Sequence, residues 1–221
     1  MSDWINDRTP RRRATPVESW SVVVPVKGGP DAKSRLRAPD GVDRLVLARA
    51  LALDTVTAAA EAVGPSRVLV VTSDAEVLTA IDDLGVATLA DPGEGLNSAV
   101  RAGLAALPAN RPAVVLLGDV PALRAVDLRA ALVAADHHDG WFVADAEGTG
   151  TVLLGAAQAG SLRPAFGSGS AARHEHDGYH RLDLDLDRLR RDVDDEVSLG
   201  EALRLGVGPS TAGLLAHLFR L

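Results

Sequence analysis

The apolar positions of this chain fall into short, nearly continuous runs separated by longer stretches with helical spacing. Residues 20–26 (WSVVVPV) are β-branched and almost uniformly apolar, the pattern of a strand buried on both faces, as parallel strands are. Pro25 has no backbone N–H to give to a ladder, so it belongs at the carboxyl end of that strand. Residues 42–63 carry apolar side chains at helical spacing behind Asp40 and stop at Gly64 and Pro65, which predicts a long helix. A second buried strand follows at 67–72 (RVLVVT), then Ser73 and Glu76 in the spacing of a helix capping box. The alternation continues with a strand at 86–90, a loop at 91–95, a helix at 96–106, a strand at 113–117 and a helix at 125–135. Strands separated by helices of about 10 to 15 residues predict right-handed βαβ units and a mostly parallel sheet with both faces covered. The expected class is α/β with a Rossmann-like architecture.

From Gly140 the rhythm changes. Residues 141–144, 151–154 and the alternating 181–187 (RLDLDLD) read as shorter strands, with antiparallel pairing open to some of them. This last third is expected to form a lid or substrate wall. Residues 197–205 and 210–221 read as two closing helices on either side of Gly206 and Pro209. Residues 1–19 are read as a disordered, solvated arm and residues 20–221 as a single domain.

Composition narrows the chemistry. Of 221 residues 47% are hydrophobic but only 3% aromatic, so Ala, Val and Leu must build the core, as suits a layered fold. With no cysteine, disulfides, thiolate zinc sites and cysteine nucleophiles are excluded. No apolar run approaches the roughly 20 residues of a membrane span, and the first twenty residues are polar. A cytoplasmic protein with no membrane partner is therefore expected. The Arg11, Arg12 and Arg13 run lacks the apolar stretch of an export signal and reads as part of the arm. A net charge of -7 repels nucleic acid on average. No nucleic-acid partner is expected, whereas a small anionic ligand held at a locally basic site stays open.

In open α/β sheets ligands collect at the carboxyl ends of the strands, and polar residues at four such places stand out. After the first strand, Lys27, Gly28 and Gly29 lead to Lys33, Ser34, Arg35 and Leu36, with three cations in nine residues. Glycine for close backbone approach and cations for charge suit a triphosphate; an ordinary solvated loop is the alternative. The loop is not a P-loop, because GxxxxGK[ST] is absent. After the strand at 113–117 come Gly118 and Asp119, and after the alternating segment come Asp192, Val193 and Asp194. One or two such carboxylates suffice for magnesium bound to phosphates, although aspartates also serve as caps and turns. The loop 91–97 (DPGEGLN) puts Gly95 and Asn97 at a helix start, a plausible ribose or base contact. The fourth place joins residues 148–151 (GTGT) to residues 166–173 (FGSGSAAR), whose hydroxyls and free amides near a helix start can bind a phosphate or carboxylate. Flexible glycine/serine turns are the alternative.

Gly167 to Ala172 match GxGxxA in form only, since no buried strand precedes them. His174, His176 and His180 lack the HExxH spacing and read as a solvated loop, and no GxSxG elbow supports a serine hydrolase.

In order and number these segments resemble the guanylyltransferases that act early in making the deazaflavin coenzyme F-420, the phosphoenolpyruvate or 2-phospho-L-lactate guanylyltransferases. The resemblance runs from Trp20 almost to the end. It is carried by residues 24–27 (VPVK) before 33–36 (KSRL), by 117–123 (LGDVPAL), by 142–145 (FVAD) with 148–151, and by Asp192 to Asp194. Residues 206–209 (GVGP) and Phe166 and Gly167 with Ser170, Arg173 and His174 look like the actinobacterial branch, for which phosphoenolpyruvate is the implied acceptor. The fold so implied is a three-layer sandwich of the nucleotide-diphospho-sugar transferase type. The activity implied is transfer of GMP from GTP to phosphoenolpyruvate with magnesium. By the same resemblance Thr151, Gly167 and Ser170 would hold phosphoenolpyruvate. Asp119 and Asp192, helped by Asp194, would bind magnesium; Lys27, Lys33 and Arg35 would face the triphosphate; and Gly95 and Asn97 would lie near guanosine. Ala171, where a second serine is common, and Gly28 and Gly29, which replace bulkier residues, are departures from the pattern. Transfer to 2-phospho-L-lactate or another phosphorylated acceptor, and a non-catalytic nucleotide-binding regulatory module, are the competing readings. Self-association into a homo-oligomer is an expectation that no residue pattern specifies.

Overall fold

The computed structural model describes residues 15–29, 33 and 36–216. Strand β1 (Ser21–Pro25) leads into helix α1 (Arg44–Val63), followed by β2 (Val68–Val71), α2 (Ala75–Asp82), β3 (Ala87–Leu89), α3 (Leu96–Ala105), β4 (Ala113–Leu116) and α4 (Ala125–Ala134). The last third adds β5 (Gly140–Ala144), β6 (Thr151–Ala156), α5 (Ser170–His176), β7 (His180–Arg181), α6 (Asp187–Arg190), α7 (Glu196–Leu205) and α8 (Pro209–Leu215). Among the described residues the strands form one seven-stranded sheet in the order β3-β2-β1-β4-β6-β5-β7. The pairs β1·β2, β1·β4, β2·β3 and β5·β7 are parallel, while β6 runs antiparallel to both β4 and β5.

The valine runs explain the layering. Val22 and Val24 turn to one face, where they pack with Val56 and Ala59 of α1 and with Leu128 and Leu132 of α4. Val23 turns to the other, against Val100 and Leu104 of α3 and Ala171 of α5. Each valine so buried contributes about 1.5 to 3 kcal/mol relative to exposure, so both helical layers are held to the sheet centre. A third cluster under α7 and α8 joins Leu47, Leu51, Ala122, Val193 and Leu215.

Several expectations are corrected at their edges. Asp43, not Asp40, caps α1, its carboxylate accepting from the Leu45 and Val46 amides at 2.8 and 3.1 Å. Asp74, not Ser73, caps α2, accepting from Glu76 and Val77 at 3.0 and 3.2 Å. In both cases the cap is the residue directly before the first helical one, where its carboxylate reaches the orphan amides. The alternating segment 181–187 pairs only through its start, as part of β7. Leu182, Leu184 and Leu186 then lie along the core, and that burial, not a pleat, sets their spacing. Just before β1, Val17–Ser19 form a 3-10 turn, with Val17 packed on the core and the Thr15 amide donating to Asp136 at 2.5 Å. Residues 1–14, with the arginine run, lie outside the described residues, as do residues 217–221 of the expected last helix. Among the described residues no helix is long and apolar enough to cross a membrane.

The reversal of β6 turns its start toward the ends of its neighbours. Thr151, its first residue, pairs with Ala144 at the end of β5, and Leu153 pairs with Leu116 at the end of β4. The start of β6 and the ends of β1, β4 and β5 therefore share one edge of the sheet.

Candidate active site

Three carboxylates from two distant segments meet at that edge. Asp119 follows β4 through Gly118, where a Cβ would lie 2.7 Å from the Pro25 carbonyl oxygen, so β1 and the Asp119 turn can approach this closely only with glycine there. Asp192 and Asp194 arrive from the segment after α6, and the Val193 amide donates to the Asp119 carbonyl at 3.0 Å. Val193 is fully buried in the α7–α8 cluster. With that side chain turned inward, its two neighbours project the other way, as expected from their spacing. Each of Asp119, Asp192 and Asp194 offers an oxygen, and the three oxygens lie within 4.8 Å of one another.

The electrostatics of this centre are unbalanced. The Lys33 ammonium donates to Asp119 and, at 2.7 Å, to Asp194 Oδ1. Burial by itself would lower the lysine pKa, but the carboxylates of Asp119 and Asp194 outweigh it and hold the group above its ordinary value. Burial, then the charges of Asp119 and Asp194, push Asp192 up to about 8. Asp119 Oδ1 is buried without a hydrogen-bond partner. Three carboxylates against one ammonium thus leave a proton held on Asp192 and a lone pair unused on Asp119. An all-oxygen donor set of this kind suits a hard divalent cation, and these residues can hold one.

The carboxylates line one of two adjoining cavities, and Lys27 lines both. One, of about 530 Å³, is walled by Lys27, Gly28, Gly29, Gly93 and Gly95. Its far loop is pinned where Asp91 Oδ1 accepts from the Gly93 amide at 2.9 Å and the Ser73 hydroxyl accepts from the Asp91 amide at 3.1 Å. Gly95 precedes α3 at φ 91°, a left-handed conformation that favours glycine. The other cavity, of about 660 Å³, brings Lys33, Asp119, Asp192 and Asp194 together with Thr151, Gly167 and Ser170.

Of the residues expected at a site, then, Lys27, Lys33, Gly95, Asp119, Thr151, Gly167, Ser170, Asp192 and Asp194 line these connected cavities. Arg35 lies outside the described residues. Asn97 sits at the expected loop, but its carboxamide is committed elsewhere: it donates to the Phe166 carbonyl at 3.0 Å and accepts from the Phe166 amide at 2.9 Å. It ties the first turn of α3 to the loop that carries Gly167.

Three residues that the sequence marked only as part of the family resemblance, with no site role given to them, support the wall of the larger cavity. Asp145 accepts from the amides of Thr149 and Gly150 at 2.8 and 2.7 Å, folding the turn before Thr151. An aspartate ahead of a Gly-Thr-Gly turn is a recognisable signal for this. Arg173 donates to the carbonyls of Ala165, Gly167 and Ser168 at 2.6 to 3.2 Å and so braces the Gly167 loop from outside. His174, expected in a solvated loop, is fully buried on α5, while His176 and His180 are exposed. Ser170, Ala171 and His174 share the inward face of that short helix, a spacing visible in the sequence once the helix is known.

Residues 44–182 match the MobA-like NTP transferase domain. Over 213 residues the chain is 48% identical to a phosphoenolpyruvate guanylyltransferase of Geodermatophilus obscurus, covering 92% of this chain and 97% of that one. Over 206 residues it is 46% identical to a phosphoenolpyruvate guanylyltransferase of Streptomyces coelicolor, covering 90% and 97%. A solved nucleotidyl transferase from Methanothermobacter has the same fold at 17% identity, with a TM-score of 0.57 over 84% of this chain and 98% of that one. A Desulfovibrio desulfuricans structure described as a nucleotide-diphospho-sugar transferase does so with a TM-score of 0.59, at 17% identity, over 90% and 94%. By sequence, fold and domain match, the chain belongs to the phosphoenolpyruvate guanylyltransferase family of nucleotidyltransferases.

Proposed function

We propose that this enzyme transfers GMP from GTP to phosphoenolpyruvate, giving enolpyruvoyl-2-diphospho-5'-guanosine and pyrophosphate. A phosphate oxygen of the acceptor forms a bond to the α-phosphorus of GTP. The bond from that phosphorus to the oxygen bridging to the β-phosphate breaks, and pyrophosphate leaves with the electron pair. Both reactants are anions, so the tasks are alignment and charge neutralisation, with no covalent enzyme intermediate. The acceptor phosphate is already ionised near neutral pH, so no general base is required.

The observation that carries this reading is the convergence of Asp119, Asp192 and Asp194 in the larger cavity, which shares Lys27 with the glycine-lined one. The glycine-lined cavity suits the nucleotide, because its walls let backbone amides come close to ribose and phosphate, and Lys27 and Lys33 supply positive charge for the triphosphate. The larger cavity suits phosphoenolpyruvate, with Thr151, Ser170 and the Gly167 backbone as its contacts. Asp119, Asp192 and Asp194 would hold Mg2+, which when bound offsets the negative charge gathered on the triphosphate. Lys33, which donates to Asp119 and Asp194, would face the triphosphate beside that cation. We assign the product to the making of coenzyme F-420, a role supported by the motif resemblance from Trp20 onward.

Product analysis by mass spectrometry tests the proposal, with GTP, Mg2+ and either phosphoenolpyruvate or 2-phospho-L-lactate. The enolpyruvoyl dinucleotide is expected to form faster than the lactyl product. Absence of pyrophosphate release with both acceptors would refute the assignment.

A further inference from the structure

His174 is fully buried, ringed by Phe142, Phe166 and Tyr179 at centroid distances of 5.9, 5.5 and 5.7 Å. Both of its ring nitrogens are engaged. Nε2 lies 3.1 Å from the Ala165 amide nitrogen, and Nδ1 lies 2.9 Å from Thr151 Oγ1. A backbone amide can only donate, so Nε2 must accept and carries no proton. A neutral imidazole has one N–H, which therefore sits on Nδ1 and donates to Thr151. Burial first, then the charge of Arg173, against the opposing charge of Asp177, push the His174 pKa down to about 4, so the ring is neutral under ordinary conditions.

The hydroxyl of Thr151 is constrained by this order of donors. Its oxygen receives the Nδ1 hydrogen, so its own hydroxyl hydrogen cannot point back at the ring. Thr151 lines the larger cavity beside Ser170, Gly167 and the carboxylates. We infer that His174 is a positioning residue: the relay from the Ala165 amide through His174 fixes Thr151 as a one-way hydrogen-bond donor, aimed at an anionic oxygen of the phosphorylated acceptor. The inference rests on the proposed placement of the acceptor against Thr151. It assigns to a residue outside the cavity lining a share of the preference for an anionic acceptor, because a hydroxyl that is held as a donor rewards an oxyanion and penalises a donor group.

Two measurements on the full-length protein test this. Long-range 1H–15N NMR reads the His174 tautomer directly in the wild type: a proton on Nδ1 is expected, and a proton on Nε2 would overturn the inference. Initial rates of pyrophosphate release then give KM for each substrate in Thr151→Val, His174→Gln, His174→Asn and the double variant Thr151→Val with His174→Gln. Asparagine can present its amide near the Nδ1 position and keep a donor to Thr151, whereas glutamine places its amide near Nε2 and withdraws it. Thr151→Val and His174→Gln are each expected to raise KM for phosphoenolpyruvate about tenfold, with KM for GTP changed less than about twofold. His174→Asn should stay within about threefold of wild type, and the double variant should be no worse than Thr151→Val alone. Fully multiplicative effects would reduce His174 to a core residue and defeat the relay while leaving the acceptor site intact. An unchanged acceptor KM in Thr151→Val, with wild-type turnover normal, would instead remove the acceptor from Thr151 and the inference with it.

Discussion

The acidic centre and the wall around Thr151 and Gly167 face the same cavity, yet they are completed to different degrees within the fold. At the acidic centre Asp119 Oδ1 has no partner, Asp192 keeps its proton up to about pH 8, and Lys33 stands among the carboxylates. At that wall Asn97, Asp145, Arg173 and His174 make hydrogen bonds that hold the loops around Thr151 and Gly167 in place. The difference follows from charge. Asn97 and His174 are neutral, and the single carboxylate of Asp145 and the single guanidinium of Arg173 each bond backbone groups, so no like charges are crowded together and a shape can be set in advance. Three clustered carboxylates repel, and only a cation can complete them.

Removing the ligand-completed side challenges this contrast most directly. Asp119→Asn should lower turnover by about a thousandfold or more and abolish the rise in Tm that Mg2+ gives the wild type, read by pyrophosphate release and thermal melts. Retained activity would show that the acidic centre is dispensable.

On the prearranged side, Asn97→Ala frees the Phe166 loop from α3. It should raise KM for phosphoenolpyruvate about five- to tenfold and change KM for GTP much less, in initial-rate measurements. Equal changes for both substrates would mean that Asn97 serves the nucleotide cavity as well.

The two sides should also differ in sign as pH varies. Asp192 is raised in the folded protein, so the unfolded chain releases this proton near its ordinary value while the folded chain holds it up to about 8. Without metal, stability is therefore lost as pH rises across that window and stays lost above it. Asp192→Asn should then stabilise the metal-free protein at pH 9, on the order of 1 kcal/mol or about 2 to 4 °C in Tm, as calorimetry would show. A fall in Tm would mean that attraction to Lys33 outweighs the burial cost.

His174 runs the other way. Its folded pKa is depressed to about 4 from 6.5, so its contribution is present above the unfolded value and lost as pH falls toward the folded one. Urea midpoints should show a loss of up to about 1 kcal/mol between pH 7 and 6, reduced in His174→Gln. An unchanged slope would mean that the ring takes up its proton in place.

Sequence alone set the layering and the reactive groups. The valine runs at 22–24, 68–71 and 113–116 specify buried strands, because side chains that must leave water at every position admit few other structures. Asp119, Asp192 and Asp194 stand directly after apolar runs or flank a buried valine, so their edge position and shared direction were legible from spacing. Tertiary structure alone decided the partners. Lys33 and Asp119 are 86 residues apart, Asn97 and Phe166 69, and Thr151 and His174 23. The changed rhythm after Gly140 left antiparallel pairing open without saying which strand takes it, and only pairing with β4 and β5 fixes the reversal of β6 that brings Thr151 to the edge of the carboxylates. Periodicity records which side of a segment is buried, whereas a hydrogen bond between distant segments depends on where the sheet sets them, and nothing in either segment alone encodes that.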